Sequence, residues 1–139
     1  MPLSRDAIVA WTASVVALFS VVSCSRVSLS NAQVNNHAFL QCMYRDDSFP
    51  KDLVDEGKQI LVRLAERIEQ DKPADVAALY VLTHAATDEF NELGEEFYEA
   101  DSEIETSAAE CIADDFAFIA EAYGFADADL EELIATRDW

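Results

Sequence analysis

Histidine and carboxylate side chains are the residues of this sequence that could carry out acid–base chemistry. His84 stands four residues before Asp88 in a stretch with helical periodicity, so the two side chains would share one helix face. A histidine paired with a carboxylate can act as a general base, and Asp115, close to an apolar stripe, is a second candidate partner. On a helical wheel, however, His84 lies near Tyr80 and Tyr98 and away from the core stripe. A histidine hydrogen-bonded at the core boundary is therefore preferred over a catalytic one, with His84, Asp88 and Asp115 kept as catalytic candidates.

Residues of the types that bind metal ions form no recognisable metal motif. A carboxylate-bridged metal pair in a helical bundle needs Glu three residues before His, but a valine occupies that position before both His37 and His84. His37 and Cys42 cannot chelate one zinc ion together, because five helical residues separate their directions by about 140°. Cys42 and Cys111 show no CxxC spacing, so we expect reduced thiols packed as small apolar side chains. The sequence thus predicts no metal ion and no cofactor.

Acidic residues dominate the second half of the chain. Residues 73–136 include 18 Asp or Glu and no Lys or Arg, yet helical periodicity continues throughout, so the acids belong to a folded surface. Four of them lie close together on one predicted helix and are called the acid face: Glu92, Glu95, Glu96 and Glu99. Like charges at helical spacing repel by a few tenths of a kcal/mol per pair. The acid face indicates a basic protein partner, with weak cation binding or a solvated surface that only serves solubility as the alternatives.

Composition limits the classes of function. The chain has 139 residues, a length that suits one domain with one core. Its formal net charge at pH 7 is −19. Nucleic-acid backbones are bound by Lys and Arg that release counterions, so direct nucleic-acid contact is not expected. A basic protein partner is the partner that this charge favours.

Helices must position these side chains, because the sequence offers almost no support for strands. It contains three Gly and three Pro, and no run alternates as a half-buried strand does. We predict an all-α fold, a single compact antiparallel bundle of four to five helices, with Phe90 and Phe116 in the core. The predicted helix starts are Ser30 or Asn31, Pro50, Pro73, a capping box from Ser102 to Glu105, and Asp127.

The N-terminal segment allows two interpretations. Residues 7–22 carry no charge, and small residues precede Cys24 as they do in the lipobox of bacterial lipoproteins, where this Cys is acylated. Arg5 is offset by Asp6, so the positive charge of a secretory signal is missing. Alternatively, translation starts near Val27 and the protein is cytoplasmic, with residues 1–26 misannotated and 27–139 as the helical domain. Otherwise the protein is membrane-anchored or a lipoprotein through residues 7–24.

Several stretches of the body resemble one protein family. They are ALYVLTHAAT at 78–87, SEIET at 102–106, CIA at 111–113, FAFIA at 116–120 and ELIATRDW at 132–139. The likeness extends over roughly Asn35 to Trp139 and is to a bacterial family known only as domain of unknown function 5713. The resemblance implies a small helical bundle and no activity, cofactor or catalytic residue. Residues 1–26 depart from the family pattern, which favours a start near Val27.

Three functional hypotheses follow. The first is a non-enzymatic interaction module that binds a basic partner through the acid face, as an adaptor, an antitoxin-like or an immunity-like inhibitor would. The second is an enzyme of unrecognised type that uses His84 with a nearby carboxylate. The third is an envelope protein anchored to lipid through Cys24.

Overall fold

The computed structural model describes residues 28–139. The apolar N-terminal segment, the candidate lipidation site Cys24 and the alternative start Val27 lie outside the described residues. No helix within the described range is long and apolar enough to cross a membrane.

The described chain is all-α, as predicted, and has no β-strand between residues 28 and 139. Two long helices, α3 (Lys51–Asp71) and α4 (Val76–Glu99), pack against each other as an antiparallel pair, while α5 (Thr106–Ala122) packs against α3 and contacts α4 through the rings of Phe116 and Phe90. Three shorter helices fix the ends of the bundle. In chain order the helices are α1 (Ala32–Asn35), α2 (Gln41–Arg45), α3 (Lys51–Asp71), α4 (Val76–Glu99), α5 (Thr106–Ala122) and α6 (Leu130–Leu133).

The first predicted helix is interrupted, which brings the number of helices to six. Helix α1 ends at Asn35, and Leu40 has a left-handed backbone conformation with φ of 54° before α2 begins. This conformation is unfavourable for a residue with a Cβ atom. It turns the Leu40 side chain into the core, where it is buried. The break between α1 and α2 therefore allows the Leu40 side chain to reach the core.

Side chains of two other elements pack directly on the backbone of α3 at Gly57. At Gly57 of α3, a Cβ atom would stand 2.9 Å from Cδ1 of Leu40 and 3.2 Å from Cε1 of Phe90. Glycine thus allows α3, the loop before α2 and α4 to meet at one point.

Aromatic side chains fill the core on the side of α5. Phe90 and Phe116 are both buried, and their ring centroids are 5.9 Å apart, which confirms the predicted core positions. Phe97 is also buried and contacts Phe49 edge to face. This packing fixes the inner side of α4 and so determines which side of that helix faces solvent.

Helix α2 is joined to α5 by a disulfide between Cys42 and Cys111, whose Cα atoms are 6.4 Å apart. The expectation of reduced thiols is therefore wrong in this structure. The two residues are separated by 69 positions, so their spacing in the sequence could not indicate the pairing.

Candidate functional site

The acid face lies on the last two turns of α4. Helix α4 begins after Asp75, whose side chain accepts a hydrogen bond of 2.8 Å from the backbone N–H of Ala78. It buries Phe90 and Phe97 on its inner side. The four glutamates of the acid face occupy an arc of about 100° on the opposite side and are all exposed.

None of these four carboxylates forms an ion pair within the described chain. Two arginines of the neighbouring helix α3 form ion pairs with Glu89, which precedes the acid face on α4. Nη2 of Arg63 lies 2.8 Å and Nη2 of Arg67 3.8 Å from the Glu89 carboxylate. The groove beside Glu92 and Glu96 is lined from α3 by the acid Glu56 and by Arg63, which is paired with Glu89.

A groove separates the acid face from the end of the chain. We call it the C-terminal groove. Glu95 and Glu99 of the acid face form one side of it, and Tyr98, 71% exposed, lies between them. The remaining lining residues are Asn91, Gly94, Glu103, Ile104, Asp138 and Trp139. Carboxylates next to aromatic faces are a combination that suits Lys or Arg side chains.

The far side of this groove is held in place by Asn91 of α4. Its Nδ2 donates to the carbonyl of Thr136 at 2.9 Å, and its Oδ1 accepts from the backbone N–H of Asp138 at 3.1 Å. The ring of Trp139 then meets Phe90 edge to face, with centroids 6.3 Å apart. One amide side chain therefore orients the last residues of the chain against α4. Sequence reasoning missed this role because the contacts span more than 40 positions.

His84 occupies a structural position in this geometry. Its Nε2 lies 2.6 Å from the carbonyl oxygen of Glu132, and its ring stacks on Tyr80. Thr136 donates through Oγ1 to the His84 carbonyl at 3.4 Å. No hydrogen bond or ion pair joins His84 to Asp88 in the part of the chain that is described. These contacts tie α6 to α4 and agree with the preferred boundary interpretation.

Asp115 is paired with His37 and not with His84. Its Oδ1 accepts from Nε2 of His37 at 2.7 Å, and its Oδ2 accepts from the backbone N–H of Leu40 at 2.7 Å. The His37 ring also stacks on Phe118, with centroids 3.8 Å apart. Burial raises the pKa of Asp115, although the hydrogen bonds from His37 and Leu40 oppose this effect. The carboxylate therefore fixes the loop between α1 and α2 on α5.

The structure does not bring the metal-ligand types together in a binding arrangement. Among residues 28–139, no group of three His, Cys, Asp or Glu side chains could hold a metal ion. Cys42 and Cys111 are joined to each other, and the two histidines bind protein partners on different elements.

The chain belongs to the family of unknown function DUF5713, which matches residues 33–139. This match confirms the resemblance seen in the sequence. No curated protein and no solved structure matches the chain. The family carries no activity with it, so the function must be argued from the surface itself.

Proposed function

We propose that this member of the DUF5713 family is a non-enzymatic interaction module whose acid face binds a basic segment of a partner protein. The observation that supports it is a set of four neighbouring exposed carboxylates that form no ion pair in the described chain, although two arginines on the adjacent helix pair with Glu89. An adaptor, an antitoxin-like or an immunity-like inhibitor would use such a surface.

Electrostatics gives this proposal a physical basis. Neighbouring carboxylates on one helix face repel each other by a few tenths of a kcal/mol per pair, and Lys or Arg of a partner would relieve that repulsion. The net charge of −19 also attracts a basic protein from a distance and accelerates its association. The acid face would then determine where that partner binds.

The enzyme hypothesis has less support from the same residues. His84 and Asp115 have separate hydrogen-bond partners, and each holds two elements of the fold together. The enzyme hypothesis pairs His84 with a carboxylate, but its Nε2 contacts the Glu132 carbonyl, and Asp115 is paired with His37 instead.

A salt-dependent pull-down tests the proposed function. The full chain, immobilised, is exposed to lysate of its native host and washed with increasing NaCl. We expect basic proteins to bind at low salt and to elute as the screening length falls from about 10 Å at 0.1 M to about 3 Å at 1 M. The test variant carries Glu→Gln at all four positions of the acid face, and we expect it to lose those proteins.

A control variant separates this surface from net charge alone. It changes four other acids that form no hydrogen bond or ion pair in the described chain, so its net charge equals that of the test variant. Its substitutions are Glu66→Gln, Asp71→Asn, Glu121→Gln and Asp127→Asn. Equal losses in the test and control variants would contradict a specific role for the acid face.

The localisation proposal has its own test. We propose that the protein starts near Val27 and is cytoplasmic, where Cys42 and Cys111 would be kept as reduced thiols; the alternative is a lipoprotein acylated at Cys24, in an oxidising compartment where their disulfide would persist. The intact mass of the protein isolated from its host distinguishes them. A species that begins at Cys24 with the added mass of acyl chains would establish the lipid-anchored alternative.

A further inference from the structure

An apolar trough runs between α5 and α6, and it meets the C-terminal groove at Ile104 and Trp139, which line both. Its floor is formed by small and branched apolar side chains. Besides those two residues, the apolar lining consists of Ala109, Ala113, Leu130 and Ile134.

The floor of this trough is accessible from solvent. Leu130 is 37% exposed and is the accessible part of the floor, whereas Ile134 is buried. Trp139 packs edge to face on Phe90, and its indole N–H has no acceptor among residues 28–139. The trough therefore offers apolar contact area that nothing in the described chain covers.

The rim of the trough is acidic. Four carboxylates line it: Glu105, Glu110, Asp114 and Glu131. Arg137 is the single base among the lining residues, and its Nη2 lies 2.9 Å from the Glu131 carboxylate, which neutralises both. The rim thus keeps a net negative charge around an apolar floor.

We propose that this trough receives a large apolar side chain from the same basic segment that binds the acid face. Lys or Arg residues on either side of that apolar side chain would reach the acidic rim, and further basic residues would follow the C-terminal groove to Glu95 and Glu99. This inference rests on the proposed function and adds the chemistry of the partner: an apolar anchor flanked by positive charge. A second copy of this chain fits less well, since it would bring another net charge of −19 to the rim.

Two synthetic peptides test the anchor with the full-length protein. One is a short Lys-rich peptide with a central leucine, and the other has serine in place of that leucine. Their affinities are compared at low salt by fluorescence anisotropy of a labelled terminus. Burial of a leucine side chain leads us to expect roughly tenfold tighter binding of the leucine peptide.

Matched protein variants locate the anchor. Leu130→Ser should bring the two peptides to equal affinity, because it removes the accessible apolar floor. Val81→Ser is the control, since Val81 is 69% exposed on α4 and does not line the trough. It should leave the tenfold preference unchanged. Leu130→Gln serves as a second variant in case Leu130→Ser unfolds, and circular dichroism checks the fold of each.

The outcomes distinguish this inference from the proposed function. Equal affinity of the wild-type protein for both peptides, or a preference that survives Leu130→Ser and Leu130→Gln, would overturn the trough as the anchor site. Loss of binding to both peptides on neutralising the acid face would still support the proposed function in that case. If neutralising the acid face changes neither affinity, the proposed function itself fails. A Leu130→Ser variant that alters the sedimentation of the protein alone, with the peptide preference intact, would assign the trough to self-association instead.

Discussion

At the residue scale, the carboxylate of Asp115 binds His37 and Leu40, which lie 78 and 75 positions before it in the chain. Both oxygens accept short hydrogen bonds, and Asp115 is only 7% exposed. Because a buried donor without an acceptor costs about 1–3 kcal/mol, Asp115→Ala should destabilise the protein by at least that amount. Asp115→Asn keeps one acceptor oxygen and should cost less. Urea unfolding at neutral pH measures both, and equal losses would contradict the hydrogen-bonding role.

The same carboxyl group should make stability depend on pH. Its pKa is raised in the folded state by burial, so the folded protein retains this proton at pH values where the unfolded chain has lost it. The stability of wild type relative to Asp115→Asn should therefore be greatest below about pH 4, the ordinary pKa of Asp, and should decline as pH rises through the raised value. Unfolding free energies of both proteins across this range test the sign. A difference that grows as the pH rises would contradict it.

Sequence reasoning recognised one half of this arrangement. Asp115 was noticed because an acid close to an apolar stripe needs a partner, and burial of the residue agrees with that pattern. Its partner was not readable, since His37 lies in an irregular loop where helical periodicity carries no information. The sequence places His84 next to Tyr80, since residues four positions apart on one helix lie on the same face, and the two rings do stack.

At the element scale, the sequence predicted the long amphipathic helices and the presence of a short first and a short last helix, but not the break between α1 and α2. The stripes of α3 and α4 repeat over many turns, so both helices appear where the pattern indicated them. The start of α5 was wrong: Ser102 donates through Oγ to the carbonyl of Ser48 instead of closing a capping box, and the helix begins at Thr106. A tertiary hydrogen bond thus replaced a local one that the sequence favoured.

Packing between α4 and α5 leads to a direct prediction of stability. Phe90 and Phe116 are buried with their rings in contact, so truncating either leaves a cavity that neighbouring helices cannot fill completely. Phe90→Ala or Phe116→Ala should each cost about 3–5 kcal/mol of unfolding free energy. Chemical denaturation with a linear extrapolation is the measurement. Losses of unfolding free energy below about 0.5 kcal/mol in both variants would contradict the placement of Phe90 and Phe116 in the core.

At the scale of the whole molecule, net charge should act against the folded state. The folded chain holds its excess of 19 negative charges closer together than the unfolded chain does, and salt screens that repulsion over about 10 Å at 0.1 M. We therefore expect the melting temperature to rise with added NaCl. A scanning calorimetry series at fixed pH provides the measurement. A melting temperature that falls with salt would show that attractive ion pairs dominate the surface.

Salt should have the opposite effect on partner binding. Screening weakens the attraction between the acid face and a basic segment, chiefly by slowing association. We therefore expect the protein to become more stable and to bind its partner more weakly as the salt concentration increases.

The central claim, that the acid face and the adjoining grooves bind a basic segment, is tested most directly by nuclear magnetic resonance. The full chain, labelled with ¹⁵N, is titrated with the Lys-rich leucine peptide, and the backbone amide and indole N–H shifts are followed. We predict that the amides of Glu92, Glu95, Glu96 and Glu99 and the indole of Trp139 shift most. The amides of Asp71 and Glu121, at the opposite end of the bundle, should hardly move. Shifts centred on that opposite end, or spread evenly over the acidic surface, would contradict the claim.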